Sequence, residues 1–457
     1  MKYAAYEDYK SSASDWLGSV PSHWHVDRLK WSTNGCYNGV WGDDPNDLDD
    51  LVCVRVADFD RDRFVVVNNP PTVRAIEAGQ RRNRLLQKND LLIEKSGGGE
   101  KQLVGCVVQF TGDFPAVCSN FVARLPIARG CDPRYLTYLH SAIYAARLNY
   151  PAIKQTTGIQ NLDSGEYLNI SAAYPPLDEQ QTIARFLDAK TTQVDTLVAQ
   201  KRQLIAKLKE KRSALIARTV TRGLSPEAAK AAGLEPNPEM KDSGVEWLGK
   251  VPKHWSTTRL KYAANRIIDC PHDTPIYDPT GSYLVVRTAD IDSGTLDLSR
   301  AYRVDESEYL RRIRRAKVVP KDILYGREGE RWGYAALAPK ETTVCLGQRM
   351  MQFQVSVRFD PGFLMWHLNA RSVYEQGAVD VTGSTAPHVN VETIRNYLLA
   401  EPPLAEQVAI AAFIDSETEQ LDGLVMQINE AIARLTEYRQ ALITSAVTGK
   451  IDVRGLA

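Results

Sequence analysis

The sequence predicts an α+β protein with an internal pseudo-twofold repeat: two mixed α/β domains joined by two long antiparallel helices that pack in coiled-coil fashion. Three observations predict it. A set of short motifs occurs twice, in the same order. Each copy ends in a proline-free stretch whose apolar residues recur alternately four and three apart. Ahead of that stretch, short apolar runs punctuated by Gly, Pro and Asn have the pattern of strands and turns.

The repeat begins with Trp16-Leu17-Gly18-Ser19-Val20-Pro21-Ser22-His23-Trp24, which returns as Trp247 to Trp255. Arg28-Leu29-Lys30 returns as Arg259 to Lys261, and Val54-Arg55-Val56-Ala57-Asp58 as Val286 to Asp290. Asp90-Leu91-Leu92 returns as Asp322-Ile323-Leu324, and Thr157-Gly158 as Thr382-Gly383. Pro175-Pro176-Leu177 with Glu179-Gln180 returns as Pro402-Pro403-Leu404 with Glu406-Gln407. The offset stays between 225 and 232 residues, which chance does not produce over six motifs. The expected domains are therefore 1–178 and 241–404, each opened by a W-L-G-x-V-P-x-H-W motif. Long helices are expected over 179–222 and, with the C-terminal tail, 405–457; 223–240 is a linker with a helical turn at Pro226 to Ala232.

Within the mixed domains, Leu51–Val56, Arg63–Val67, Leu103–Phe110, Tyr283–Val286 and Trp332–Leu337 read as strands; Pro133–Leu148 and Pro361–Tyr374 read as helices. The first heptad seam runs from Ile183 through Leu187, Val194, Leu197, Leu204 and Leu208 to Leu215; the second runs from Ile410 through Ile414, Leu421, Leu424 and Leu435 to Leu442. Each helix is expected to be about 50–60 Å long. Neither helix can hide its stripe alone, so the repeat supplies the partner, with Lys190, Lys201, Lys211 and Glu417 as polar interruptions. Pairing Ile183 with Leu442 would bring Lys211 within a turn of Glu417. The W-L-G-x-V-P-x-H-W motif reads as an apolar plug that fixes the start of each domain.

The 457 residues exceed one ordinary core. Fifty-six basic and 56 acidic residues give zero formal charge, which alone argues against a nucleic-acid binder, yet Lys201–Arg222 holds eight basic residues against one acidic. Seven scattered cysteines without a C-x-x-C pair read as reduced thiols in a cytoplasm. No apolar run reaches membrane-spanning length, and Met1–Lys10 is too polar for a signal peptide.

Motifs for catalysis fail on inspection. Asn69-Pro70-Pro71-Thr72 lacks the ring an amino-methyltransferase stacks on a flipped base. Gly97-Gly98-Gly99-Glu100-Lys101 lacks phosphate-loop spacing. Asp90 with Glu94-Lys95 resembles a metal-nuclease cluster, but adjacent residues of a strand face opposite ways. The seven His residues form no metal-ligand spacing.

What remains is binding chemistry, present twice. Arg81, Arg82 and Arg84 precede the strand at Asp90; Arg311, Arg312, Arg314 and Arg315 precede the one at Asp322. After these strands come Lys95 with three glycines, and Arg327-Glu328-Gly329-Glu330-Arg331. Further polar loops follow: Gln155 to Asn161, with Thr157 and Gln160, and Thr382 to Asn390, with Ser384, Thr385 and His388. Arg forks fit phosphates and guanine edges, amides fit adenine, and glycine admits a close backbone. Each cluster also admits a plain reading as surface arginines and turns.

Met240 to Gly249 (M-K-D-S-G-V-E-W-L-G), followed by Val251-Pro252 and Trp255, resembles the leading segment of type I restriction-modification specificity subunits; so does Pro-Pro-Leu-x-Glu-Gln running into a long helix, present twice. The first copy departs, reading Ser14-Asp15-Trp16 without Gly-Val-Glu. The resemblance implies two target-recognition domains, each reading half of a split site on double-stranded DNA, in a cytoplasmic, non-catalytic chain. It implies two methyltransferase (modification) subunits and, for cleavage, restriction subunits as partners. Those partners would use S-adenosylmethionine, ATP and magnesium, and this chain none of them. Two alternatives stay open on sequence: a specificity module for a fused methyltransferase-nuclease, and a coiled-coil scaffold that binds no DNA.

Overall fold

The computed structural model describes the chain except residues 1–2, 68–69, 100–101, 157, 342, 382–386 and 457. It falls into two compact units, Met1–Lys201 with Glu430–Ala457, and Arg202–Asn429. The units are not the two sequence repeats. Each holds one mixed domain, the first half of that domain's own long helix and the last half of the other repeat's helix.

In the first unit a six-stranded sheet runs in the order Tyr37–Asn38, Val122–Leu125, Leu91–Glu94, Val107–Gln109, Val65–Val66, Phe59–Asp60. Side-chain alternation along Leu91–Glu94 sends Leu91 and Ile93 into the core shared with helix Pro133–Ala145, and Leu92 into a second core with Val108 and Val122. Both faces are buried, which is why the strand is apolar throughout. Beside it lie two three-stranded sheets, Ala116–Cys118, Asp50–Val54, Val73–Ala75, and Ser96–Gly97, Ile159–Leu162, Ile153–Thr156, and two strand pairs, Tyr9–Ser11 with Ser19–Pro21 and Ser171–Tyr174 with His25–Arg28.

The second unit repeats the plan. Ala264–Asp269, Met350–Val355, Ile323–Gly326 and Ala335–Leu337 form the central sheet, beside Tyr302–Val304, Tyr283–Val286, Val344–Leu346. Ile323 and Tyr325 enter one core and Leu324 the other. After Tyr283–Val286, Arg287 and Asp290 close a 3-10 turn reciprocally, as Arg55 and Asp58 do in the first unit. The duplicated V-R-x-A-D motif is this turn.

Several expected elements are shorter than expected. Arg63–Val67 yields only Val65–Val66, because Phe64 takes a left-handed φ of 58°. The expected helix Pro361–Tyr374 is two, Pro361–Leu368 and Arg371–Ala378. Asn369 breaks it: its amide donates to the Ala335 and Met365 carbonyls, and Ala370 is extended. In the linker, helix Pro226–Ala231 starts at Ser225, whose hydroxyl accepts from the Ala228 N–H.

The long helices span Leu177–Arg222 (46 residues) and Leu404–Val447 (44 residues). At about 65–70 Å each they are longer than the expected 50–60 Å, because they run on beyond both ends of their heptad seams. Each begins after a Pro-Pro pair, and Gly223 and Gly449 (φ 82° and 69°) follow their ends. In the first unit they run antiparallel: Glu179 and Gly449 meet the same indole, Trp24, while further along Asp195 pairs with Arg439 at 2.9 Å. In the second, Glu406 and Gly223 meet Trp255, and Arg212 pairs with Asp422 at 3.1 Å. The register differs from Ile183 opposite Leu442, which would have set Asp195 against Glu430, a like charge. Ile183, Leu187, Val194, Ile410, Ile414 and Leu421 are buried, whereas Leu197, Leu204 and Leu424 each stay 46% exposed, so the seam is covered over only part of its length.

The W-L-G-x-V-P-x-H-W motif does more than plug. Val20 and Trp24 are buried as expected. The Trp24 indole and Tyr6 hydroxyl also donate to Glu179 Oε1, and His23 meets its Oε2. Glu406 is held likewise by Trp255 and His254. The Glu of Pro-Pro-Leu-x-Glu-Gln thus ties each domain to the start of its helix. The signal was present in the sequence, since both motifs recur together.

Candidate nucleic-acid interface

In each unit, three stretches far apart in sequence converge at an edge of the central sheet. In the first, Leu91–Glu94 runs on into Lys95, whose ammonium donates to Asn38 Oδ1 at 2.7 Å. Arg84 donates to the Asn38 carbonyl at 3.2 Å. Ser96–Gly97 pairs with Ile159–Leu162, Ser96 opposite Asn161 and their side chains 2.6 Å apart. Gly97 and Gly98 both have positive φ, and a Cβ on Gly98 would lie 2.8 Å from the Gln102 carbonyl, so only glycine fits.

In the second, Ile323–Gly326 runs on into Arg327, whose guanidinium reaches Asp269 Oδ2 at 3.3 Å. Arg315 donates to the Asp269 carbonyl at 2.8 Å. The backbones of Glu328 and His388 form an isolated antiparallel β-bridge, in which Gly329 N–H donates to the Pro387 carbonyl and Val389 N–H to that of Arg327. Arg327 and His388 line an open recess of about 310 Å³ with Asp380 and Asn390. Asn38 and Asp269 hold equivalent edge positions, opposite Ala123 and Met351. Lys95 and Arg327, and Arg84 and Arg315, are the matching cations.

The remaining expected residues divide. Arg82 and Arg314 are exposed, as are Gln155, Asn161 and His388. Arg331 is half exposed and donates to the Ile291 carbonyl. Arg81 is drawn into the fold by Asp49 at 2.6 Å and the Ile76 carbonyl. Arg311 is bound by Glu308 and Asp273. Two readings are corrected. Arg312 has a fully buried side chain, spent on Glu308 and the carbonyls of Pro271 and Asp273. Gln160 is buried and uses its amide on Val104 N–H and the Gly99 carbonyl. Neither can reach a ligand without unfolding its surroundings. Thr157, Thr382, Ser384 and Thr385 lie outside the described residues. Asn38 and Asp269 were missed, because the two share only their offset in the repeat.

The carboxylates that resembled a nuclease cluster are both committed. Asp90 accepts from Arg124 at 2.5 Å and from the Gln87 N–H. Glu94 is buried against Arg61 at 2.7 Å, and burial raises its pKa although the guanidinium opposes this. Asp269, Cys270 and His272 bring three potential metal-ligand atoms within 4.8 Å of one another, a grouping the sequence reading did not find. Asp269 already serves His272 and Arg327, and burial pushes the Cys270 thiol up to about 11, away from the thiolate a metal needs.

Two clusters of basic side chains with matching geometry, one on each mixed domain, define a two-headed protein. The family described as the type I restriction modification DNA specificity domain matches residues 63–209 and 280–434, so the chain belongs to that family. It is a DNA-specificity protein of type I restriction-modification. It is similar to the type I restriction enzyme EcoBI specificity subunit of Escherichia coli, 23% identical over 76% of this chain and 74% of that one. The EcoKI specificity subunit of E. coli K12 is 21% identical over 81% and 76%. The MjaVIII specificity subunit of Methanocaldococcus jannaschii is 21% identical over 81% of each. Among solved structures, the HsdS subunit from Thermoanaerobacter tengcongensis shares the fold at TM-score 0.51 and 16% identity, over 94% of this chain and 98% of that one. A chain described under complex assembly and conformational transition of the type I R-M system reaches TM-score 0.66 at 17% identity, over 94% and 98%. Among the described residues no helix is long and apolar enough to cross a membrane.

Proposed function

We propose that the chain reads a bipartite site on double-stranded DNA, one half with each cluster, and docks two methyltransferase subunits and, for cleavage, restriction subunits. One observation carries this reading: Arg84, Asn38 and Lys95 recur as Arg315, Asp269 and Arg327 at the same edge of the same sheet. Two like heads on one chain suit two half-sites separated by bases that neither head touches. Lys95, Arg84 and glycine amides take phosphates, which fixes register; Asn161, Gln155 and the Arg327 fork face base edges, which gives sequence.

The chain itself has no methyltransferase, nuclease or ATPase activity and holds no cofactor. S-adenosylmethionine, ATP and magnesium belong to the partners, and the complex works in the cytoplasm. The committed carboxylates support this, since neither Asp90 nor Glu94 is left for an attacking water. The half-exposed Leu197, Leu204 and Leu424 support the long helices as the surface that methyltransferase subunits cover. The test is binding of the assembled methyltransferase complex to DNA across a salt series. Sequence-specific, salt-dependent affinity is expected; equal affinity for all sequences refutes the reading.

A further inference from the structure

The two clusters share geometry but not charge. Among the described residues, no carboxylate lies within ion-pair distance of Arg84 or Lys95 in the first unit, and the residue between them is the neutral Asn38. In the second unit Asp269 takes the place of Asn38, and Glu328 also pairs with Arg327. Among the described residues, Arg84 and Lys95 of the first head are thus without a carboxylate partner. In the second, Asp269 and Glu328 both pair with Arg327, with His272 against the same carboxylates, while Arg315 meets the main-chain carbonyl of Asp269 as Arg84 meets that of Asn38. Arg327 is also only 12% exposed, whereas a phosphate clamp needs a reaching, solvated side chain.

Asp269 has a further mark of function. Among the described residues its Oδ1 is buried without a hydrogen-bond partner, which costs stability and leaves an acceptor at the cluster unused. The equivalent site in the first unit tolerates Asn, so the fold does not demand the carboxylate.

Resting on the bipartite reading above, we infer that Asp269 is a positioning residue that withdraws Arg327 from the phosphates and aims its fork at a base edge. The second half-site is then read mainly by bases through Arg327, whose charge the two carboxylates offset. The first half-site is held mainly by phosphate contacts through Arg84 and Lys95. The two heads divide affinity and stringency between them.

The test uses the assembled methyltransferase complex on duplexes carrying its own motif, with single-base changes in each half, titrated over a salt series at pH 8. Asp269→Asn, nearly isosteric and the residue of the first head, is expected to steepen the salt slope by about one. It should also lower discrimination in the second half-site about tenfold and leave the first half-site as it was. Asp269→Glu keeps the charge and should keep the slope. An unchanged slope with unchanged discrimination in Asp269→Asn overturns the inference, as does an equal loss in both half-sites. Should Asp269→Asn fail to assemble, Arg327→Gln decides. Lost discrimination in the second half-site with the slope kept supports the inference. A slope shallower by about one with discrimination kept assigns Arg327 to a phosphate and overturns it. A wild-type complex without sequence preference would instead sink the underlying bipartite reading.

Discussion

Glu179→Ala removes the carboxylate through which the first domain grips the start of its helix. Three donors lose their acceptor: Tyr6 Oη at 2.7 Å, Trp24 Nε1 at 3.0 Å and His23 Nε2 at 2.8 Å. Trp24 is fully buried and Tyr6 nearly so, and each stranded donor costs about 1–3 kcal/mol. His23 is two-fifths exposed and turns to water at little cost. The expected loss is about 2–6 kcal/mol. Glu406→Ala is the internal control. It strands one buried donor, the Trp255 indole, with half-exposed His254 beside it, so about 1–3 kcal/mol is expected. Glu179→Gln leaves an oxygen for Tyr6 and Trp24 and should lose less than Glu179→Ala. The assay is urea unfolding of the full chain, followed by tryptophan fluorescence and by amide exchange of His25–Arg28 and Ser256–Arg259, the strands beside each lock. If Glu179→Ala loses no more than Glu406→Ala, the hydrogen-bond accounting is wrong.

Further outcomes follow from the same contacts. His140 and His367 are each buried and neutral, one on helix Pro133–Ala145 and one on Pro361–Leu368, and burial pushes each down to about 4 from 6.5. The unfolded chain therefore takes up protons first. Stability is full above pH 6.5 and falls toward pH 4 by about 1.4 kcal/mol per pH unit for each His, and melting curves of His140→Gln with His367→Gln should show a flatter pH profile. Arg312→Ala strips buried Glu308 of a partner and should destabilise by about 3–5 kcal/mol, whereas exposed Arg314→Ala should stay within about 0.5 kcal/mol in the same urea assay. Reversing the charges along Lys201–Arg212 should weaken association with methyltransferase subunits in sedimentation; intact assembly removes that segment from the docking surface.

The repeat, the long helices and the mixed domains were legible in the sequence because periodicity and duplicated motifs are backbone-level signals. Which half of each helix serves which domain was not. That depends on antiparallel pairing at a register set by Asp195 with Arg439 and Arg212 with Asp422, pairs that lie more than two hundred residues apart. The candidate site was legible as a set of stretches, and those stretches do converge. Individual side chains were not separable: Arg312 and Arg314 look alike in sequence, yet one is sealed against Glu308 and the other is exposed. Asn38 and Asp269 lay beyond reach because an edge-strand position gains meaning only from the cations that the fold brings to it.

Replacing residues 262–400 with the matching domain of a relative, then mapping the methylated motif in cells that also make the methyltransferase, tests the account most directly. That span carries Asp269, Arg315, Arg327 and His388 and leaves the first cluster intact. One half of the motif should change while the other half stays as it was. Half-site centres should lie about one helical turn, 34–36 Å, apart before and after the exchange. Both halves changing together, or a motif written as one uninterrupted block, would contradict two independent readers on one chain.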